Sequence, residues 1–229
     1  MACTIRADEW SVDYSTIADA FSGAIEYANA VVGIVGKLED VWFEKYLRMT
    51  PARHCVDILQ VGTFSYSFDN PPFTREDDFV WNEDVEERTV VAYGIAIHAK
   101  GKRDRNRMRG PRGEREWSET QDGYCYDRGH LIAHSIGGIE DFGLFPQRRD
   151  INQGRSPRGR VFRSMETYCL HNPGVFCFAR PIYLDRSSHP FYLEYGVLRP
   201  DMNLWVEVFE NRYTDRLFTY PYHPQPEKE

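Results

Sequence analysis

The chain lacks any run of 18 consecutive apolar residues, so the sequence predicts no membrane-spanning helix. Its N-terminus also lacks an apolar segment behind a basic start, and we therefore expect no secretory signal peptide. Disorder of the whole chain is excluded because 41% of the residues are hydrophobic and 14% are aromatic, as in globular proteins. These features predict a globular protein of a reducing intracellular compartment, or one that is exported without a leader.

The cysteines lack the spacing of a metal-binding or disulfide framework. There are five of them, an odd number, and no two form a CxxC pair. A zinc knuckle is therefore not predicted. We expect free and mostly buried thiols.

A net positive charge is missing as well, because the chain carries -7 at pH 7. The distribution of charge matters more than its sum for attraction of a polyanion. The segment from Lys100 to Glu116 has eight basic and three acidic residues, and the segment from Arg148 to Arg163 has six arginines and one aspartate. Arginine suits phosphate recognition. We expect these two basic segments to line one groove that holds a nucleic-acid backbone.

The most informative motif is the tetrapeptide Asp-Arg-Gly-His at 127–130. It is followed by Phe-Pro-Gln at 145–147, Ile-Asn-Gln-Gly at 151–154 and Met-Glu at 165–166. A histidine with a pKa near neutrality can take a proton from water. Asparagine and carboxylate oxygens are hard ligands that suit magnesium. The set is therefore suited to attack on a phosphodiester with a single hard cation.

These motifs, in this order, resemble those of the DNA/RNA non-specific endonucleases, a branch of the His-Me finger (ββα-metal) nucleases. The likeness is sharp from 124 to 168 and looser over 55 to 215. It implies an enzyme that hydrolyses phosphodiester bonds of DNA and RNA with little sequence preference, gives 5′-phosphate ends and uses Mg²⁺ or Mn²⁺.

The resemblance also implies a role for each motif residue. His130 matches the general base, Asn152 the metal ligand, and Glu166 the helical glutamate that holds metal-bound water. Arg128 is expected to contribute to phosphate binding or to the local salt-bridge network. Asp127 is expected to orient its neighbours, and Gly129 to allow a close approach of the backbone. The predicted substrate-binding residues are arginines in or near the motifs, namely Arg128, Arg148, Arg149, Arg155, Arg158 and Arg160.

One spacing departs from the family pattern, and a further histidine stands near the first motif. Asn152 and Glu166 are fourteen residues apart, which is a wider spacing than in the family, and we interpret Arg155 to Arg160 as an inserted loop. His134 stands four residues after His130, a spacing that can bind zinc on a helix. The glutamate of the zinc motif is missing, so we expect a structural role for His134.

The coarse pattern predicts an α+β fold with an antiparallel sheet, a ββα-metal motif and N-terminal helices. A helical region is expected at 12–49, interrupted near Gly33 and Gly36, and a strand at 124–127 leads into the first motif. Further strands are expected at 56–68 as a hairpin, and at 89–98, 175–184, 191–197 and 204–209, with a helix at 161–170. The predicted regions are a helical extension at 1–54, an endonuclease domain at 55–220 and a flexible tail at 221–229.

Two other functions remain open from the sequence. One is a protein of nuclease fold that binds nucleic acid without cutting it. The other is a nuclease effector or toxin, whose N-terminal helices serve delivery or bind an inhibitor or immunity protein. A plasmid nicking assay with and without EDTA separates cutting from binding.

Overall fold

The structure is a computed structural model that describes residues 7–21, 26–50, 55–70, 88–99, 101, 126–139, 143–184 and 189–213. Within these ranges the helices are α1 (Ala7–Trp10), α2 (Tyr14–Asp19), α3 (Tyr27–Met49), α4 (Arg149–Asn152) and α5 (Pro157–His171). The strands are β1 (Cys55–Val61), β2 (Phe64–Asn70), β3 (Thr89–Ile95), β4 (Tyr126–His130), β5 (Leu144–Arg148), β6 (Phe176–Ile182), β7 (Tyr192–Leu198) and β8 (Leu204–Glu210). Apart from residue 101, the basic segment from Lys100 to Glu116 lies outside the described residues, and so does the predicted tail.

Six strands form an antiparallel sheet in the order β1-β2-β3-β6-β7-β8, and β4 pairs with β5 in a separate hairpin. The α+β class, the antiparallel sheet and the N-terminal helices are thus confirmed. The predicted hairpin at 56–68 is present, with Gly62 at a positive φ in its turn. The strand predicted at 124–127 instead includes the whole first motif, because β4 runs from Tyr126 to His130.

Helix α3 covers one face of the sheet. Its buried residues recur every four positions, namely Ala30, Ile34, Leu38, Trp42 and Tyr46. The Trp42 ring lies 4.8 Å from the ring of Phe178 on β6. Burial of one large side chain of this kind contributes about 1.5–3 kcal/mol. The predicted interruption near Gly33 and Gly36 is wrong, because this packing exceeds the cost of about 1 kcal/mol for a glycine inside a helix.

A buried ion pair fastens the first helices to the same face. Arg180 on β6 and Glu194 on β7 pair at 2.7 Å and are almost fully buried. The Tyr14 hydroxyl donates to Glu194, Trp42 Nε1 donates to that hydroxyl, and Arg180 donates to the main-chain oxygen of Trp10. The desolvated charges therefore have polar partners from α1, α2 and α3, which a buried pair needs in order to be tolerated.

The opposite face of the sheet is covered by α5 and the β4–β5 hairpin. Phe162 of α5 lies against Tyr195 and Phe209, with ring centroids 5.4 and 5.3 Å apart. Cys169 on α5 and Cys177 on β6 are free and buried in this layer. The sheet therefore separates two cores, and the motif residues all belong to the layer opposite α3.

One long excursion connects β3 to β6, which are neighbours in the sheet. It contains the β4–β5 hairpin, α4 and α5, and all four sequence motifs. Its two ends meet at Ala96, whose N–H donates to Val175 and whose carbonyl accepts from Gly174, at 2.9 and 2.8 Å. The hairpin loop is tied to the same strand end, since the Ile97 N–H donates to the Ile136 carbonyl at 3.0 Å.

Candidate active site on the hairpin and the following helices

The β4–β5 hairpin presents the first motif. Asp127 lies opposite Gln147, and His130 opposite Leu144. A Cβ placed on Gly129 would stand 2.3 Å from the Gln147 side-chain oxygen. Only glycine fits at this position, because any larger residue would push Gln147 out of the buried space between the strands. Gly129 therefore leaves room for the Gln147 side chain to pack directly on the β4 backbone.

His130 ends β4 and is 9% exposed. The next residue continues the hairpin, because the Leu131 N–H donates to the Gly143 carbonyl at 2.8 Å. Leu131 and Ile132 are buried in the core behind it. The apolar residues that follow the motif thus anchor the strand end and hold the imidazole at the edge of a cavity.

That cavity has a volume of about 550 Å³ and opens to solvent. Its polar lining comes from the hairpin, from α4 and its following turn, and from α5, namely Arg128, His130, His134, Ser135, Asn152, Gln153, Arg155, Arg163 and Glu166. The structure therefore brings together five of the predicted site residues, namely Arg128, His130, Asn152, Arg155 and Glu166. His134, for which a structural role was expected, lines the same cavity. We call this space the motif cavity.

Asp127 lies beside the motif cavity and accepts three hydrogen bonds. Arg149 Nε donates to Oδ1 at 2.8 Å, while Asn152 Nδ2 and Gln153 Nε2 donate to Oδ2 at 3.1 and 2.7 Å. These bonds together outweigh the effect of partial burial and lower the pKa of the Asp127 carboxyl. The first motif is thus joined directly to Asn152 of the third.

The wide spacing between Asn152 and Glu166 is explained by a longer helix. Pro157 to Arg160 form the first turn of α5, so the predicted inserted loop is wrong for these residues. Ser156 caps the helix by accepting from the Gly159 N–H at 3.0 Å, and proline occupies the first helical position. Both are signals of a helix start. The extra residues therefore place Glu166 further along the helix and still facing the motif cavity.

Glu166 is half-buried on α5, next to the apolar layer. Desolvation raises the pKa of its carboxyl to about 7, although the charge of Arg163 acts in the opposite direction. Arg163 also donates from Nη2 to the main-chain oxygen of Asn152 at 3.1 Å. Sequence reasoning did not single out Arg163. Its position one helical turn before Glu166 is the signal that could have found it.

The other predicted arginines lie elsewhere. Arg148 pairs with Asp150 at 2.9 Å, and Arg158 pairs with Glu207 at 2.9 Å and donates to the Val208 carbonyl at 2.8 Å. Both line a second cavity of about 400 Å³ beside the edge strand β8. Arg149 is bound to Asp127 as described, and Arg160 is exposed on α5. The arginines of the second basic segment therefore do not share one cavity.

The motif cavity has a positive local charge although the chain is acidic. Among the residues that the structure describes, three guanidinium groups line it, from Arg128, Arg155 and Arg163, against the carboxylate of Glu166. A carboxyl with a pKa near 7 contributes only part of a negative charge at neutral pH. The cavity is therefore suited to bind an anion.

Within the described ranges, no three His, Cys, Asp or Glu side chains are grouped so as to hold a metal ion. An all-protein cage of the zinc type is thus not built by these residues. Asn152 and Glu166 offer one carboxamide oxygen and one carboxylate, which fit a hard cation that keeps most of its water. Of the helices that the structure describes, none has the length and apolar character of a membrane span.

No protein-family model matches this chain, and no curated protein matches it. A solved structure described as "Structure of Sda1 nuclease with bound zinc ion" is similar to part of the chain, with 24% sequence identity and a TM-score of 0.27. The similarity covers 35% of this chain and 37% of that one, so the chain spans little more than a third of that protein's length.

Proposed function

We propose that this chain is a divalent-metal-dependent endonuclease that hydrolyses phosphodiester bonds of DNA and RNA with little sequence preference and leaves 5′-phosphate ends. The observation that carries the proposal is the convergence of His130, Asn152 and Glu166 on one cavity from three separate elements. The sequence resemblance to the DNA/RNA non-specific endonucleases supports the same assignment.

In this proposal β4, β5 and α5 form a ββα-metal motif. The hairpin supplies the imidazole at the end of its first strand, and the helix supplies Glu166 across the cavity. Asn152, at the end of α4, lies between them in sequence. The arrangement is supported by the tie between Asp127 and Asn152 and by the apolar layer behind His130.

Each cavity residue has a distinct chemical task in the proposed reaction. His130 takes the proton of the attacking water, since an imidazole is half-protonated near neutral pH and can accept a proton there. Arg128 and Arg155 hold the phosphate oxygens by charge-assisted hydrogen bonds. Their contacts are to phosphate and not to base edges, so the sequence of the substrate has little effect.

Asn152 and Glu166 are the residues that would hold one Mg²⁺ or Mn²⁺. The cation supplies charge neutralisation at the phosphate under attack. Glu166 suits this task because its carboxylate is poorly solvated, and a nearby positive charge lowers the cost of ionising it. Arg163 of α5 donates to the main-chain oxygen of Asn152 and so holds the end of α4 next to the helix that carries Glu166.

The test is cleavage of supercoiled plasmid and of RNA in Mg²⁺, in Mn²⁺ and in EDTA. We expect cleavage of both substrates with either cation, none in EDTA, and ends that ligate without repair. His130→Ala should lose at least about a hundredfold in rate, as expected for loss of a general base. His171→Ala, an exposed histidine at the far end of α5, is the control and should cut normally. Binding without cleavage by the wild type would support the non-cutting alternative instead.

A further inference from the structure

The carboxylate of Asp127 is the point at which the first and third motifs meet. It is 16% exposed and accepts from Arg149, Asn152 and Gln153. Asn152 and Gln153 both donate to Oδ2, while Arg149 donates to Oδ1. The side chain is therefore fully engaged with groups of α4 and the turn after it, and none of these contacts is to the sheet.

The chemistry of this contact fixes the orientation of the Asn152 carboxamide. An ionised carboxylate only accepts hydrogen bonds, so the NH₂ group of Asn152 must face Asp127. The carbonyl oxygen Oδ1 is then the atom left to face the motif cavity, which Asn152 lines. Without the carboxylate, nothing in this contact would distinguish the two ends of the amide, and half of its orientations would present NH₂ to the cavity.

We propose that Asp127 is a positioning residue that holds the Asn152 carboxamide with its oxygen towards a divalent cation in the motif cavity. The inference rests on the proposed function for the identity of the cation site, and it adds a residue to which sequence reasoning gave only a general orienting role. The three donors hold the carboxylate in one place, so the amide is oriented before the cation arrives. Partners of this kind, one step behind a metal ligand, typically change metal affinity by about 10–100-fold when they are lost.

The chain offers a matched control in Asp150. It lies on α4, has a similar exposure of 19%, and is paired with an arginine, Arg148. It lines the second cavity beside β8, and its two carboxylate oxygens accept from Arg148 Nε and Nη2 rather than from Asn152. Asp150→Asn therefore removes a comparable ion pair without touching the amide.

The experiment is a calorimetric titration of the full chain with Mn²⁺ alone, without nucleic acid. We expect Asp127→Asn to raise the Mn²⁺ dissociation constant by at least about tenfold and Asp150→Asn to leave it unchanged. In cleavage assays Asp127→Asn should need more Mn²⁺ but approach the wild-type rate at saturation. A purely structural role would instead lower stability and rate without changing the Mn²⁺ requirement.

The reciprocal double variant Asp127→Asn/Asn152→Asp keeps the test decisive if the single variant folds poorly. It restores an amide–carboxylate pair with the polarity reversed and presents a carboxylate oxygen to the cavity. We expect it to recover the Mn²⁺ affinity that the single variant loses. A double variant that binds no better than Asp127→Asn would overturn the inference.

The outcomes separate this inference from the proposed function. If Asn152→Ala loses Mn²⁺ binding but Asp127→Asn retains it, the inference is wrong and the nuclease proposal stands. If Mn²⁺ binding depends on Asp127 while no nucleic acid is cut, the nuclease proposal is wrong and the inference stands. A wild-type chain that does not bind Mn²⁺ overturns the inference directly.

Discussion

Arg163 donates a hydrogen bond to the main-chain oxygen of Asn152 from one turn before Glu166 on α5. Desolvation raises the pKa of the Glu166 carboxyl, and the charge of the same guanidinium limits that rise. One side chain thus restrains the end of α4 and sets part of the electrostatic environment of α5. The two residues proposed to hold the cation are linked by it although they lie fourteen residues apart.

Arg163→Gln should therefore reduce cleavage by about tenfold, in the range found for residues that orient a metal ligand. The pKa of Glu166 should rise further, because the opposing charge is gone, and the pH at which activity reaches half its maximum should move upwards. Rates measured from pH 5 to pH 9 in Mg²⁺ check this. Arg48→Gln, an equal change of charge on α3 beyond the sheet, should leave the profile in place. A normal pH profile in Arg163→Gln would show that the link has no electrostatic role.

Arg155 and Arg158 should differ in their contribution to nucleic-acid binding. Arg155 lines the motif cavity, whereas Arg158 is bound to Glu207 and lies over the ring of Phe209. Titrations of a short duplex in EDTA, over a range of salt, should show a log–log slope reduced by about 0.9 for Arg155→Gln, which is the loss of one phosphate contact. Arg158→Gln should keep the wild-type slope and lower the melting temperature instead. Equal slopes for the two variants would contradict the placement.

Ionisation of Glu166 should cost stability when no cation is present. Its pKa is about 7 in the folded chain, above the ordinary value of 4.5, so the folded state binds the proton more tightly between these values. The free energy of unfolding should therefore fall by up to roughly 3 kcal/mol as pH rises from about 4.5 to about 7. Above pH 7 it should stay level.

Urea unfolding in EDTA tests this contribution. Glu166→Gln should equal the wild type near pH 4.5 and exceed it at pH 8, because the glutamine cannot ionise. Mg²⁺ should stabilise the wild type at pH 8 and have less effect on the variant. If Glu166→Gln is less stable than the wild type at both pH values, the carboxyl makes favourable contacts that outweigh its desolvation.

Gly159 should tolerate no side chain. A Cβ there would stand 2.2 Å from the Asp150 carbonyl oxygen, so Gly159→Ala must force α4 and α5 apart. We expect a loss of about 1–3 kcal/mol, as for overpacking elsewhere, and a lower cleavage rate because Asn152 and Glu166 lie on the two helices. Gly36→Ala is the control, since a Cβ at that position of α3 meets nothing within 4 Å. Thermal melts should show it equal to or more stable than the wild type.

The sheet strands could be predicted because their apolar and β-branched residues alternate in short runs between turn signals. The hairpin at Gly62 and the strand beginning at Thr89 agree with the pattern for this reason. The continuity of α3 could not be predicted, since it depends on packing against the sheet. Packing also explains why residue 33 is glycine within the helix, because a Cβ there would stand 2.3 Å from the Phe21 ring.

The residues of the motif cavity were predictable in part, because the motifs name the residue types and their order. The arginines were not, because a count of charges along a segment does not tell which way each side chain points. Arg158 and Arg163 are five residues apart on α5, which is about 140° around the helix axis at 100° per residue. One faces β8 and the other faces the motif cavity. The start of α5 was predicted too late in the sequence, although Ser156 and Pro157 together are a helix-start signal.

The excursion between β3 and β6 determines how a structural change elsewhere in the fold reaches the motif cavity. Every residue proposed for the reaction lies on this one stretch, and its two ends are fastened to each other at Ala96. His130, Asn152 and Glu166 are therefore carried by one continuous part of the chain, which contacts the sheet beyond its two ends as well. A shift of β7 or β8 therefore reaches α5, and with it Glu166, through Phe162, which packs against Tyr195 and Phe209. The pair of Arg158 with Glu207 of β8 provides a second route to the same helix.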